Sequence, residues 1–385
     1  MGSVPISDRR NLSRRQFLAG SAAAAWTALQ LGACRPPRRP ERAAAVQTVL
    51  GPVAPSRLGA TLMHEHAPTV DWSELYATPA APLDSLRERM LAETSGMLNA
   101  FHRSLAKEDG PGAIVECTPI RVGRYPQLLV DLARRTKVHI IASTGFWCEA
   151  LAPQHPWAVR LGIEPDGPDR MADLFVREIT EGMEDPAGGR GKRFTTIRAG
   201  AIKIGTSALM RPSEKAVHIA AAMASRRTGC PITTHTTNGG GLQQARLLLE
   251  SGADPGRVII GHQGHMDDGK NAEAGDYHLE IARLGCTLQF DRVGAGNYDC
   301  DKQARLIRNL VAGGFERQVL VSHDHVPYFY REFSSETKDS QGWRENRPDF
   351  TIVTTQLAAS MEQLGVSRAQ IRAILVENPR RVLAI

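Results

Sequence analysis

Short apolar runs alternate with amphipathic stretches from residue 58 almost to the end of the chain, and this alternation limits the fold more than any other feature. Eight of the runs predict strands: Leu58–Met63, Ala113–Cys117, His139–Ser143, Ala199–Ile204, Pro231–Thr234, Val258–Ile260, Thr287–Phe290 and Gln318–Val321. Regular alternation of strands with helices predicts a parallel sheet. Eight such units in one chain predict closure into a (β/α)8 TIM barrel.

Helix-like segments fill the space between these strands. They are Leu83–Arg103, Tyr125–Thr136, Ser213–Thr228, Gly241–Ser251, His278–Leu284 and Lys302–Ala312. The alternative is an open doubly wound sheet, which would place a glycine-rich turn after the first strand. Met63-His64-Glu65-His66 stands there instead, which favours the barrel. Two long connections, 146–196 and 326–350, are expected to wall the site, because loops after barrel strands usually do so.

The N-terminal segment has the features of an export leader. Ser13-Arg14-Arg15-Gln16-Phe17-Leu18 resembles a twin-arginine signal, and Leu31-Gly-Ala-Cys34 resembles a lipoprotein cleavage box. We expect residues 1–34 to be the signal, 35–45 a Pro/Arg linker and 46–385 the catalytic domain. The predicted location is the periplasm or the outer face of the cell membrane, with any membrane contact made through a lipid on Cys34. Cleavage after residue 45, which would leave a soluble protein, is the alternative.

The basic charge of the chain comes from this leader. Residues 1–45 contain eight arginines and two acids, which account for the whole formal net charge of +6. The remaining chain is neutral, so nucleic acid is not an expected partner. The cysteines show no paired motif. We interpret Cys117, Cys230 and Cys286 as buried thiols, and the sequence leaves a Cys148–Cys300 disulfide open.

Metal-ligand residue types occur at or just after the carboxyl ends of the predicted strands, and one, Lys203, lies inside the fourth. The six candidates are His64, His66, Lys203, His235, His262 and Asp324. The carboxyl ends of barrel strands meet at one mouth, so these side chains are expected to converge there. Any one of these histidines alone would more often be structural. Their joint placement predicts a metal centre.

Two of these positions can be interpreted from local geometry. Residues i and i+2 of an extended segment point the same way, so His64 and His66 can hold one ion. Imidazole and carboxylate ligands suit zinc.

Lys203 cannot ligate a cation as an ammonium, and taken alone it is interpreted as a snorkelling side chain. Beside a histidine cluster it makes sense as a carbamate, which is an anion that can bridge two metals.

The sequence resembles the phosphotriesterase family of the amidohydrolase superfamily, which includes phosphotriesterase-like lactonases. The resemblance runs from Val46 to Ile385 and rests on the following segments: Val46-Gln-Thr-Val-Leu-Gly-Pro-Val, Leu62-Met-His-Glu-His, Thr144-Gly-Phe-Trp147, Thr234-His-Thr and Ile374-Leu-Val-Glu-Asn-Pro379.

The resemblance implies a binuclear centre, usually of zinc, and members commonly dimerise. It implies that His64, His66 and Asp324 hold the more buried ion and that His235 and His262 hold the other. Carbamylated Lys203 would bridge both. Asp324 would also take up a proton from water activated by the metals.

The substrate signals are mixed. Asp291-Arg292 resembles a pair found in lactonases, while Trp147 stands where lactonases usually carry tyrosine. On the resemblance we expect a hydrolase of lactones or related esters with weak phosphotriesterase activity. We expect Trp147, Arg292 and Tyr298 to contact its substrate. Arg292 could instead hold Asp291, and Trp147 could be a packing residue. The alternatives are a true phosphotriesterase or arylesterase and, in a different class, a non-catalytic solute-binding lipoprotein.

Overall fold

A computed structural model describes residues 44–67, 69–70, 83–106, 109–148, 156–186, 193–237, 239–265, 276–294, 299–325, 329–330 and 350–385. Residues 44–385 form one compact unit. The predicted leader with Cys34, residues 35–43 of the linker, Tyr298 and most of the connection after the eighth strand lie outside the described residues.

Eight parallel strands make the central sheet. We number them in chain order: β1 Thr61–Glu65, β2 Ala113–Glu116, β3 His139–Thr144, β4 Ala201–Gly205, β5 Ile232–His235, β6 Val258–Ile260, β7 Thr287–Phe290 and β8 Val319–Val321. Each strand pairs with the next from β1 to β8. Backbone hydrogen bonds from Asp324 N to His64 O (3.0 Å) and from His66 N to His325 O (2.9 Å) then join β8 to β1. The predicted (β/α)8 barrel is therefore confirmed.

Helices cover the outside of the barrel. They are α1 Leu83–Ser104, α2 Pro126–Arg135, α3 Pro156–Gly162, α4 Gly167–Thr180, α5 Pro212–Thr228, α6 Gly241–Glu250, α7 Asp276–Arg283, α8 Cys300–Ala312, α9 Ala358–Gln363, α10 Arg368–Arg372 and α11 Asn378–Leu383. Helices α3 and α4 fall in the long connection after β3. No helix in the described part of the chain is long and apolar enough to cross a bilayer.

Three two-stranded sheets flank the barrel. Val46–Thr48 pairs antiparallel with Gly51–Val53, and Glu184–Asp185 pairs with Arg193–Phe194 in the same sense. Thr69–Val70 and Phe329–Tyr330 pair in parallel, so the connections after β1 and β8 also meet at the mouth.

Alternation along the strands sorts side chains into two cores. Ile140 and Ala142 of β3 pack in the layer against the helices, while Ile141 between them belongs to the cluster inside the barrel. Ala201 lies in the same inner cluster. Successive side chains of a strand point to opposite faces. Lys203, two residues after Ala201, therefore also points into the barrel.

Strand β1 departs from simple alternation. The prediction ended this strand at Met63 and put His64 beyond it, whereas β1 runs from Thr61 to Glu65. Its pairing with β2 shifts register between Leu62 and Glu65. Such an irregularity places one extra residue in a strand. Met63 lies in the inner cluster, and the imidazole of His64 also reaches the barrel interior.

No disulfide joins any of the cysteines that the structure describes. Cys117, Cys230 and Cys286 are buried, as predicted. Cys148 and Cys300 are also unbridged, so the disulfide that the sequence left open is absent from the described chain. The barrel is therefore stabilised by packing and hydrogen bonds, without help from a cross-link between these two residues.

Candidate metal centre

The structure brings all six predicted ligands together at the carboxyl ends of the barrel strands. They come from five strands or the turns that follow them: β1, β4, β5, β6 and β8. Every one of these side chains is largely removed from water, and the most accessible, His66, is only 18% exposed. The predicted convergence is therefore present, although the ligand roles themselves stay predictions.

One group consists of His64, His66 and Asp324. The Nε2 atoms of the two histidines lie 3.5 Å and 3.2 Å from the same oxygen, Asp324 Oδ1. One ligand atom from each residue falls within 4.8 Å of the other two. Two imidazoles and a carboxylate at this separation are a donor set suited to zinc and similar ions.

The second group is the pair His235 and His262. Nδ1 of His235 lies 2.7 Å from Nε2 of His262, and the rings meet edge to face. Burial lowers the pKa of His235 well below 6.5 and the pKa of His262 to about 4. Both rings are therefore neutral near pH 7, which is the form that binds metals.

Lys203 lies beside the first group and close enough to His235 of the second to affect its pKa. Its side chain is 1% exposed, and Nζ lies 2.8 Å from His64 Nε2. Burial lowers the pKa of the Lys203 ammonium. A neutral amine is the form that can add to carbon dioxide. The position thus fits the predicted carbamate better than a snorkelling lysine, which would reach water.

Asp291 orients one histidine of each group. Its two oxygens lie 3.1 Å from Nδ1 of His64 and 2.7 Å from Nδ1 of His262. Burial alone would raise the pKa of Asp291, but the neighbouring His262 and His64 lower it. The charged carboxylate thus accepts a hydrogen bond from each Nδ1–H group, so the lone pair on Nε2 of each ring points away from Asp291 and is available to a metal.

This role of Asp291 was not predicted from the sequence, which suggested only an ion pair with Arg292. Three residues can in principle form a third metal group here, namely His64, His262 and Asp291. We assign Asp291 instead to orienting the two histidines, because Nδ1 of each ring is needed as a donor to its carboxylate and Nε2 remains the ligand atom. The sequence did contain a signal for this role. Asp291 is an acidic residue directly after β7, and the neighbouring strands β6 and β8 are followed by the proposed ligands His262 and Asp324.

A hydrogen-bonded chain runs inward from His66. Its Nδ1 lies 2.8 Å from Oγ1 of Thr118, whose hydroxyl donates in turn to Glu116 Oε1. The carboxyl group of Glu116 is buried. Burial raises the pKa of Glu116 to about 8, and Thr118 opposes this shift only in part. Glu116 therefore carries a proton over much of the neutral range.

We expect Glu116→Gln to stabilise the protein in alkaline solution only. The pKa of Glu116 in the folded chain exceeds its ordinary value of 4.5. Between about pH 4.5 and 8 the folded chain therefore holds a proton on Glu116 that the unfolded chain has lost, and the free energy of unfolding falls as pH rises through this range. Glutamine cannot lose that proton. At equal metal content, the melting temperature of the variant should match the parent at pH 5 and exceed it by several degrees at pH 9. Glu181→Gln, at an exposed position, is the control. An equal difference in melting temperature at pH 5 and pH 9, or the same pH trend in Glu181→Gln, would contradict this.

Backbone conformation is unusual at the same mouth. Among the described residues, four that are not glycine have positive φ, and three belong to the centre: His262 (58°), Arg292 (63°) and Asp324 (55°). Such conformations cost on the order of 1–3 kcal/mol each and cluster at functional sites. Gly145 shows a related constraint, since a Cβ there would lie 2.0 Å from the carbonyl oxygen of Lys203.

Two of the three predicted substrate residues lie at the centre. The ring of Trp147 contacts His235 edge to face, with centroids 5.6 Å apart. Nε of Arg292 donates to Asp324 Oδ2 at 2.9 Å, a pairing that the sequence analysis did not consider. Its side chain is 27% exposed and therefore accessible from the mouth. Tyr298 lies outside the described residues.

The donor set fits the implied metal ions. Burial alone would raise the pKa of Asp324, but His64 and its neighbours lower it well below the ordinary value, so this ligand is anionic. A parallel barrel with anionic and neutral-imidazole donors at its open end has the architecture of a metal-dependent hydrolase.

Comparison with known proteins identifies the protein family. The phosphotriesterase family model matches residues 44–383, and the chain belongs to this family. Phosphotriesterase homology protein of Mycobacterium tuberculosis is 30% identical over 342 residues, covering 88% of this chain and 97% of that protein. N-acetyltaurine hydrolase of Rattus norvegicus is 30% identical over 374 residues, with the same coverage.

Solved structures agree with this assignment. A multiple mutant of a phosphotriesterase-like lactonase from Deinococcus radiodurans superposes with a TM-score of 0.73 at 29% identity, covering 88% of this chain and 99% of that one. The family and its relatives are hydrolases of ester or amide bonds. The chain is therefore a metal-dependent hydrolase, and the hypothesis of a non-catalytic solute-binding protein is not supported.

Proposed function

We propose that the protein hydrolyses the acyl bond of a small lactone or related ester with a binuclear metal centre. The observation that carries this proposal is the convergence of two donor groups, one around Asp324 and one formed by His235 and His262, with buried Lys203 close to both. Imidazole and carboxylate donors favour zinc as the ion.

Lys203 is proposed to carry a carbamate. Its amine would add to the carbon of carbon dioxide and lose one proton, which leaves an anion with two oxygens. That change replaces a buried amine, whose charged form is costly in this interior, with an anionic group able to reach both halves of the centre. The carbamate would also supply the anionic bridge that the two donor groups lack.

Two divalent ions held here would supply Lewis-acid chemistry, lowering the pKa of water and polarising the carbonyl oxygen of the substrate. Asp324 is proposed to take up the proton of the attacking water, since its carboxylate is anionic, lies beside His64 and His66, and is the more accessible of the two carboxylates at the centre. Arg292 holds Oδ2 of Asp324 at 2.9 Å and keeps the carboxylate oriented. Trp147 shields one side from water through its contact with His235.

The amide bond of an anionic N-acyl compound is a second candidate substrate. The N-acetyltaurine hydrolases match this chain about as well as the lactonase structures do, at 30% and 29% identity. Arg292 is partly exposed beside Asp324 and offers a cation that could bind a sulfonate or carboxylate tail. A true phosphotriesterase or arylesterase activity is the third candidate.

We expect lactones to give the highest kcat/KM when the zinc-loaded protein is tested on a lactone, an aryl ester, a dialkyl aryl phosphate and N-acetyltaurine. Arg292→Gln, compared on each substrate, separates the candidates: it should weaken N-acetyltaurine hydrolysis more than hydrolysis of a neutral lactone. No lactone turnover above metal-only controls would refute the first choice. Selective turnover of N-acetyltaurine would replace it with the second.

A further inference from the structure

Glu65 stands between two proposed ligands, His64 and His66, but its side chain points to the seam between β1 and β8. The carboxylate is fully buried. Its Oε1 accepts hydrogen bonds from Ser322 Oγ (2.7 Å), His323 N (3.0 Å) and His323 Nδ1 (3.0 Å). Its Oε2 accepts one from His325 N (2.8 Å). All four donors belong to the segment 322–325, which carries Asp324.

The backbone bonds of the seam act on the same segment. Asp324 N donates to His64 O, and His66 N donates to His325 O. Ser322 Oγ also accepts from His64 N at 2.9 Å. The segment is therefore fixed immediately before and after Asp324, while the residue itself has a φ of 55°. A residue keeps such a conformation only when its surroundings enforce it.

We propose that Glu65 is a positioning residue that holds Asp324 in the conformation needed for metal binding. The proposal rests on the proposed function, since it assumes that Asp324 is a ligand. A buried carboxylate that accepts four hydrogen bonds is strongly held in place. His323 extends the hold, because its Nε2 accepts from Val353 N at 3.2 Å and so ties the C-terminal helical segment to the centre.

Glutamine cannot reproduce this arrangement. Each oxygen of Glu65 faces at least one N–H or O–H donor, so the NH2 group of a glutamine side chain at this position would face a donor in either orientation. One side of the seam must then lose its hydrogen bond. Loss on the Oε2 side removes the hydrogen bond from His325 N. Loss on the Oε1 side removes those from Ser322 and His323. Either outcome loosens a residue adjacent to Asp324.

The test uses Glu65→Gln, with Glu214→Gln as the matched control. Glu214 is also buried and accepts from Ser207 N, Ser207 Oγ and Arg211 N at 2.6–2.9 Å, but it serves the connection between β4 and α5. Each chain is loaded with Co²⁺. The visible absorption spectrum, the rate of cobalt loss to a chelator and the melting temperature are then measured.

In Glu65→Gln we expect an altered cobalt spectrum and cobalt loss at least about tenfold faster, the scale on which supporting groups affect metal affinity. Glu214→Gln should lower the melting temperature while leaving the spectrum unchanged. An unchanged spectrum and chelator resistance in folded Glu65→Gln would overturn the proposal.

If Glu65→Gln does not fold, Ser322→Ala decides, because it removes one of the four donors. A smaller change in the same direction supports the proposal, and an unchanged spectrum with unchanged cobalt loss overturns it. Cobalt binding by the parent protein separates a failure of the proposed function from a failure of the role proposed for Glu65. Failure of the parent to bind cobalt would refute the proposed function, whereas normal cobalt binding in the variants would refute only the role of Glu65.

Discussion

Asp324→Asn is expected to lower kcat by about 10³-fold or more while the protein stays folded. The carboxylate of Asp324 is proposed both to ligate metal through Oδ1, near His64 and His66, and to accept a proton. An asparagine oxygen can still ligate, but the amide cannot take up a proton. Its NH2 would also face the N–H of Arg292 that now donates to Oδ2.

The measurement is steady-state hydrolysis together with metal analysis of the same preparation. Asp254→Asn is the matched control, because Asp254 caps a short turn before β6 by accepting from Gly256 N at 2.9 Å. The control should retain parental kcat. Full activity in Asp324→Asn would refute the proton-accepting role, and loss of metal from that variant would assign the defect to ligation instead.

Lys203→Met is expected to have opposite effects on the metal-free and the metal-bound protein. Methionine fits a buried linear side chain and removes an amine whose burial is unfavourable, so the melting temperature of the metal-free chain should rise. The variant cannot form a carbamate. Its metal content should therefore fall below that of the parent, and kcat should fall at least about 10²-fold with it.

Calorimetry of the metal-free protein, metal analysis and activity give the three readouts. Lys215→Met on α5 is the control, since Lys215 is exposed and lies in a helix outside the centre. It should change none of the three readouts appreciably. A Lys203→Met variant that holds as much metal as the parent would exclude a bridging role for Lys203. An unchanged melting temperature would show that the parental amine is not held at a cost.

Much of the fold was predictable because it depends on local sequence. Each barrel strand is a short apolar run, and seven of the eight predicted runs cover at least three quarters of the observed strand. The exception is β1, which was predicted from Leu58 to Met63 and lies at Thr61–Glu65. Its register shift against β2 depends on pairing between residues about fifty positions apart, which apolar periodicity does not report.

The six candidate ligands were predictable for a similar reason. Polar residues of ligand type at strand ends are conspicuous against apolar runs, and barrel topology dictates where strand ends meet. The supporting contacts were not predictable. Asp291 reaches both His64 and His262, and Glu65 reaches a segment more than 250 residues away. Such contacts join residues from different strands, and a single sequence carries no direct signal for them.

The metal content of the purified, folded protein tests the central claim most directly. Inductively coupled plasma mass spectrometry, with protein quantified by amino-acid analysis, gives the number of ions per chain. The account predicts two divalent ions per chain, lost together with activity on chelation and restored together by zinc. Fewer than one ion per chain after gentle purification, with hydrolysis undiminished by chelators, would contradict it.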